Sequence, residues 1–354
     1  MAGTTAWDRS RERVGVLCGS AVDARDLRLR LLEEIRRVVG FDAHAFLLTD
    51  PETSVGSLPL ADVPCVRELP RLIRLKYLTP VNRWTALDAS APVALLHEGT
   101  GGDPSHSLLW RELLSDYRIG DVASSVFRDR FGCWGFLDLW RSDDAPRFGP
   151  AESRYLARIA GTVTEALRRC QANTFVARGP HPRRPGPVVL LLDPELHVLG
   201  QTPQAHEYLR VLVPPDHGRA PIPASAYNVA AQLLAREAGV DRHPPHARMH
   251  LSEGLWLTLR AARIRSTRPS QESDIAVTIE EAPPTERSAV FARAFGLSAR
   301  EAEVLHRLTA GGGTREVAGR MFLSEYTVQD HLKAVFAKTA VHSRRALLAR
   351  ALGT

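Results

Sequence analysis

The chain has 354 residues, a hydrophobic share of 44%, a charged share of 24% and a formal net charge of +6. That length is more than one hydrophobic core normally serves and predicts two or three domains. No apolar run is long enough to span a bilayer, and the opening MAGTTAWDRSRERVG lacks a secretory apolar core, so no membrane partner and a cytoplasmic location are expected.

Residues 1–24 are polar and small and read as a flexible arm. From Asp26 to Val39 the apolar residues Leu27, Leu31, Ile35, Val38 and Val39 keep helical spacing. AHAFLLTD (43–50) reads as a strand ended by Asp50-Pro51. VRELPRLIRLKYL (66–78) reads as a helix with Pro70 near its first turn, PVALLHE as a short strand, and SLLWRELLSDY (107–117) as one amphipathic helix. DVASSVFRD (121–129) and GCWGFLDLWR (132–141) are separated by Arg130 and Phe131 only, which predicts a hairpin. The second is apolar on both faces, as a central strand is. Pro150 suits the first position of a helix. Leu156, Ile159, Val163 and Leu167 carry that helix to about Cys170, and its span 151–171 is the expected dimer seam.

RGPHPRRPGP (178–187) breaks every pattern and reads as a linker. VVLLLDPELHVLG predicts two short strands around Asp193-Pro194. PQAHEYLRVLV (203–213) and YNVAAQLLAREAG (227–239) predict helices; HARMHLS, LWLTLRAARI and DIAVTIEEA predict three strands; EAPPTE (281–286) marks a second boundary.

The remainder fits four helices. Ser298 and Glu301 form a capping box at the first, with Val304, Leu305 and Leu308 as its buried stripe and Gly311-Gly312-Gly313 as its stop. Thr314 is read as the cap of a short second helix, whose Val317, Ala318 and Met321 point inward. Phe322-Leu323-Ser324 makes a turn, and Ser324 caps the third helix. There Val328, Leu332, Val335, Phe336 and Thr339 share one face, while Asp330, Lys333 and Ala337 lie opposite, flanked by Gln329 and Ala334. Ser343 caps a fourth helix. From Leu297 onward nine basic residues face five acidic ones, a surplus of four that suits a polyanionic partner. A short helix, a three-residue turn and a longer helix make a helix-turn-helix, and the start of its second helix enters the major groove. Gln pairs with adenine, Lys with guanine, and Asp accepts from cytosine. A helical bundle with a polar outer face and no DNA partner has the same spacing.

LSAREAEVL (297–305), TREVAGRMFLSEYTVQDHLKAVFAK (314–338) and VHSRRALL (341–348) closely resemble the LuxR/NarL-type helix-turn-helix of bacterial transcription regulators. The triple glycine 311–313 departs from the pattern, which usually keeps an apolar residue after a single glycine. The resemblance implies Gln329, Asp330 and Lys333 as base-facing residues. It implies Thr314, Ser324, Thr327, His331, Lys338 and Arg344 as phosphate contacts. Residues 25–170 resemble a GAF domain, and residues 186–282 a PAS domain with Gln201 where that pattern often has Asn. The implied fold is multidomain α+β: a flexible arm (1–24), a GAF-like α/β sensor or dimerisation domain (25–172), a linker (173–186), a PAS-like α/β domain (187–283) and an all-α four-helix LuxR-type helix-turn-helix domain (284–354). The whole is similar to multidomain LuxR-type regulators of actinobacteria, and the use of Arg over Lys, with only Lys76, Lys333 and Lys338 present, suits a high-GC genome.

Other features point elsewhere less well. Asp193 lacks the acid pair and downstream lysine of a phosphoacceptor and reads as a turn. Two prolines separate His243 from His246, and His246 and His250 straddle a loop-to-strand change, so the three read as exposed loop histidines and no metal site is expected. Gly99–Asp103 lacks a phosphate-loop lysine. Trp84, Trp110, Trp134 and Trp140 read as core, and Cys18, Cys65, Cys133 and Cys170 as unpaired thiols. The expectation is therefore a sequence-specific transcription regulator, with no catalytic residues and no cofactor. Its partners are double-stranded DNA and a second copy of itself, with a small-molecule ligand in either upstream domain and RNA polymerase as further options. The alternative is an enzyme or ligand-binding scaffold with the tail as a targeting or protein-binding module.

Overall fold

The computed structural model describes residues 2–175, 188–205, 224–251, 254–264 and 273–353. The first part of the chain runs α1 (Ala2–Ser20), α2 (Ala24–Arg36), β1 (Ala43–Thr49), β2 (Gly56–Asp62), α3 (Leu69–Leu78), β3 (Val93–Leu95), α4 (Leu96–Gly99), α5 (Leu108–Glu112), β4 (Ile119–Asp129), β5 (Gly132–Ser142) and α6 (Pro150–Asn173). Its strands form an antiparallel sheet in the order β2-β1-β5-β4-β3. The central position of β5 explains why its sequence is apolar on both faces. β4 and β5 are joined through Arg130-Phe131 as expected, and the Asp129 carboxylate holds the turn by accepting from the amides of Phe131 (2.8 Å) and Gly132 (3.2 Å).

The second part comprises β6 (Val188–Leu192), β7 (Val198–Gln201), α7 (Ala224–Glu237), β8 (His246–His250), β9 (Trp256–Arg263) and β10 (Ile275–Glu281). Its antiparallel sheet has the order β7-β6-β10-β9-β8, the same succession as the first sheet. α7 is buried on nearly every side because it lies between α3 and β2 of the first part and the sheet of the second. Two ion pairs cross the same seam. Arg248 donates to Asp50 through Nε (2.7 Å) and Nη2 (2.8 Å), and Arg83 Nε donates to Asp241 (2.7 Å); all four side chains are buried. The remaining chain is helical: α8 (Pro284–Ala294), α9 (Ala299–Thr309), α10 (Thr314–Met321), α11 (Glu325–Thr339) and α12 (Arg344–Leu352). No helix among the described residues is long and apolar enough to cross a membrane.

Several expectations need correction. The arm expected at 1–24 is largely the helix α1. Its own periodicity is weak, but Trp7, Ser10, Val14 and Cys18 share a face that packs on α2 and α6. Ser10 Oγ lies 2.6 Å from Glu34 and 2.8 Å from Tyr155, and Arg13 pairs with Glu34 at 2.7 Å. Tertiary packing rather than propensity stabilises such a helix. Consequently Ile159 and Val163, the positions expected to form a dimer seam, are not on an open face: they are 2% and 0% exposed in the core shared with the sheet. The single helix expected at 107–117 breaks at Leu113 (φ −143°) into α5 and a 3-10 turn at Leu114–Tyr117. PVALLHE holds only the short β3 before the chain turns into α4. Two further elements escaped the sequence reading. β2 carries Pro59, which an edge strand tolerates because one side makes no ladder bonds. α8 begins on the second residue of a Pro-Pro pair that reads as a boundary, because Pro284 occupies a first-turn position that needs no amide donor. Residues 206–213 of the expected helix 203–213, and 176–186 of the linker, lie outside the described residues.

Candidate nucleic-acid interface

The capping box is present at α9. Ser298 Oγ accepts from the Glu301 amide (3.3 Å), and the Glu301 carboxylate accepts from the Ser298 amide (2.7 Å). α10 begins at Thr314, so Gly313 and not Thr314 occupies the cap, with no side-chain bond there. Phe322 ends α10 in the left-handed region (φ 55°), three residues turn the chain, and Ser324 caps α11 by accepting from the Thr327 amide (3.1 Å). Val328, Leu332, Val335 and Thr339 are buried against α9 and α10. This inward face turns the opposite face of α11 to solvent, and Gln329, Asp330 and Lys333 stand exposed on it. Lys333 Nζ donates to Asp330 (3.1 Å) and lies 5.8 Å from the centre of the Tyr326 ring.

The other six expected residues are not equivalent. Ser324 is exposed and Thr327 half-buried at the start of α11, their hydroxyls 2.9 Å apart, where free amides and the helix dipole favour an anion. Thr314 and His331 are half-buried. Lys338 is committed inward: Nζ donates to Glu301 Oε2 (2.6 Å) and to the Gly296 carbonyl (3.3 Å). Burial works against a charged Glu301, but the Lys338 ammonium and the Ser298 amide outweigh it and hold the carboxyl below its ordinary value. Arg344 Nη2 donates to the Gly312 carbonyl (2.6 Å) and so ties α12 to the glycine loop.

Features set aside in the sequence prove to be engaged in the fold. Asp193 accepts from the His197 amide (2.7 Å), closing the β6–β7 turn. His243 Nδ1 lies 2.7 Å from Asp241, while His250 Nε2 accepts from the Gly254 amide (3.1 Å). Trp84, Trp134 and Trp140 are core residues, and the four cysteines are buried and unpaired.

Sequence reasoning missed the junction at α8. Arg287 is buried over the rings of Phe175 and Trp256 and donates to the carbonyls of Gly254 (3.1 Å) and Arg350 (3.3 Å). Phe175 stacks on Trp256 at 4.6 Å and meets Phe291 edge-on at 5.3 Å. Arg293 donates to the Phe131 carbonyl at the β4–β5 turn (2.9 Å). One helix thus touches both sheet-bearing parts and the last helix. The only sequence trace was a run of aromatics and arginines without periodic meaning.

The α10–turn–α11 geometry and its exposed polar stripe define a helix-turn-helix module. Residues 296–351 match the family described as bacterial regulatory proteins, luxR family, and this C-terminal segment is a LuxR-family helix-turn-helix domain. The chain is also 38% identical over 69 residues to the probable HTH-type transcriptional regulator GfsR of Streptomyces halstedii. That match covers 20% of this chain and 28% of the relative, so the chain spans under a third of the length of the curated relative it matches.

Proposed function

We propose that the chain is a sequence-specific DNA-binding transcription regulator whose α11 reads the major groove under the control of the two upstream α+β parts. The observation that carries this is the open face of α11. Gln329, Asp330 and Lys333 stand exposed together on the second helix of a LuxR-family module. In our reading these three face the bases. Thr314, Ser324, Thr327, His331, Lys338 and Arg344 approach phosphates, with Lys338 and Arg344 also bracing the module itself. Two copies on half-sites about one helical turn apart supply the affinity of a specific complex.

The shared strand order of the two sheets supports reading both upstream parts as modules of one plan, GAF-like and PAS-like. The mechanism is a two-state one: in one state the helix-turn-helix is masked or badly spaced, and the conformation described here leaves its recognition face uncovered. Control through the spacing of two α11 helices fits better, with α8 as the link.

The test is capture of genomic fragments by the full-length protein, followed by sequencing, with Lys333→Ala beside the wild type. Enrichment of a short two-fold symmetric motif that the variant blurs or loses supports the proposal. Absence of any enriched sequence at low salt overturns it in favour of a scaffold or enzyme with a polar helical tail.

A further inference from the structure

Positions 326, 330, 333 and 337 succeed one another at intervals of four, three and four residues, one face of a helix with about 3.6 residues per turn. Tyr326 therefore belongs to the outward stripe of α11 and stands one turn before Asp330. It is 73% exposed, and Phe322 in the preceding turn is 95% exposed; these are the two most exposed large apolar side chains among the described residues. Both aromatics lie at the end of the helix that meets the groove first. Phe322 also holds a left-handed φ of 55°, a conformation in which glycine or asparagine is the usual occupant. An apolar ring kept in water beside three polar readers calls for an apolar counterpart on the same duplex surface.

A base pair presents one apolar group in the major groove, the C5-methyl of thymine. We propose that Tyr326 is a fourth base-reading residue and that its ring reads a thymine methyl. This deepens the DNA-reading proposal above and rests on it. The division of labour follows from side-chain chemistry. Gln329, Asp330 and Lys333 offer hydrogen bonds or charge, and none of them offers apolar surface at its tip. The Lys333 ammonium lies 5.8 Å from the Tyr326 ring and 3.1 Å from Asp330, so ring and cation approach neighbouring places on the duplex. The thymine lies next to the base that Lys333 addresses. The phenol hydroxyl is not required.

The experiment selects a randomised duplex library with the full-length wild type, Tyr326→Phe and Tyr326→Ala, confirming first that all three melt alike, as an exposed position allows. Each thymine of the wild-type duplex is then replaced, one at a time, by deoxyuridine, which lacks only the methyl. The expected result is one thymine per half-site at which uracil weakens wild type and Tyr326→Phe about fourfold, the worth of one buried methyl-sized group. Tyr326→Ala should be indifferent to uracil there and lose preference at that base pair alone. Identical uracil penalties in wild type and Tyr326→Ala overturn the inference, since the ring then touches no methyl. Tyr326→Phe behaving like Tyr326→Ala also overturns it, assigning the contact to the hydroxyl. A wild type that selects no motif removes the DNA reading itself, an outcome distinct from the other two.

Discussion

Replacing Arg248 by Met tests whether the two sheet-bearing parts are held together by charge. Asp50 and Arg248 are 0% and 3% exposed, and their two side-chain bonds measure 2.7 and 2.8 Å. Removing one partner of such a pair strands a buried charge, at a cost of about 3–5 kcal/mol. Asp50 would still accept from the amides of Glu52 (2.9 Å), Thr53 (3.2 Å) and residue 248 (2.8 Å), which places the cost at the lower end, about 3 kcal/mol. The double variant Asp50→Asn/Arg248→Met removes both charges, while the Asn oxygen keeps amide donors. It should recover at least half of the loss. Urea denaturation followed through Trp84 and Trp256, one in each part, measures both values.

The pH dependence adds a second check. Burial pushes the Asp50 carboxyl up, but the Arg248 guanidinium outweighs it and holds the group below its ordinary value. That stabilisation is present above the ordinary Asp range and is lost as pH falls through the lowered value. In Arg248→Met burial is opposed by the backbone amides alone, so the carboxyl takes up its proton at higher pH than in wild type and the deficit shrinks on acidification. A loss below about 1 kcal/mol, the behaviour of an exposed pair, would refute the reasoning.

Ile159→Glu should abolish folding of the first part instead of yielding folded monomers, because its side chain is in the core; circular dichroism with light scattering decides, and a folded monomer speaks against the packing described. Phe322→Gly should stabilise the helix-turn-helix by about 1 kcal/mol by relieving the left-handed strain, seen as a raised Tm. Lys333→Ala should leave Tm within about 0.5 kcal/mol of wild type, since its pair with Asp330 is exposed. The same change should weaken specific DNA binding by roughly 5- to 100-fold, read by titration at fixed salt. Lys338→Met should destabilise the module near neutral pH, and the difference should fade below the ordinary Glu range as Glu301 is protonated in both proteins.

The C-terminal module was legible because its signals are local. A capping box spans four residues, an apolar stripe lies within a few helical turns, and Ser324 and Ser343 cap helices through amides three residues on. The β4–β5 hairpin and the centrality of β5 were legible for the same reason. Tyr326 was not singled out in the sequence, although its spacing from Asp330 and Lys333 puts it on the same helical face.

Tertiary structure alone decided the rest. α1 has few local signals and is ordered by α2 and α6, and its presence turns α6 from an open face into core. Asp50 and Arg248 lie 198 residues apart, and Lys338 and Glu301 lie 37 apart. No periodicity records which charges meet across such distances. Helix and turn energies depend on neighbours along the chain, whereas burial and ion pairing depend on neighbours in space, which only the folded chain specifies.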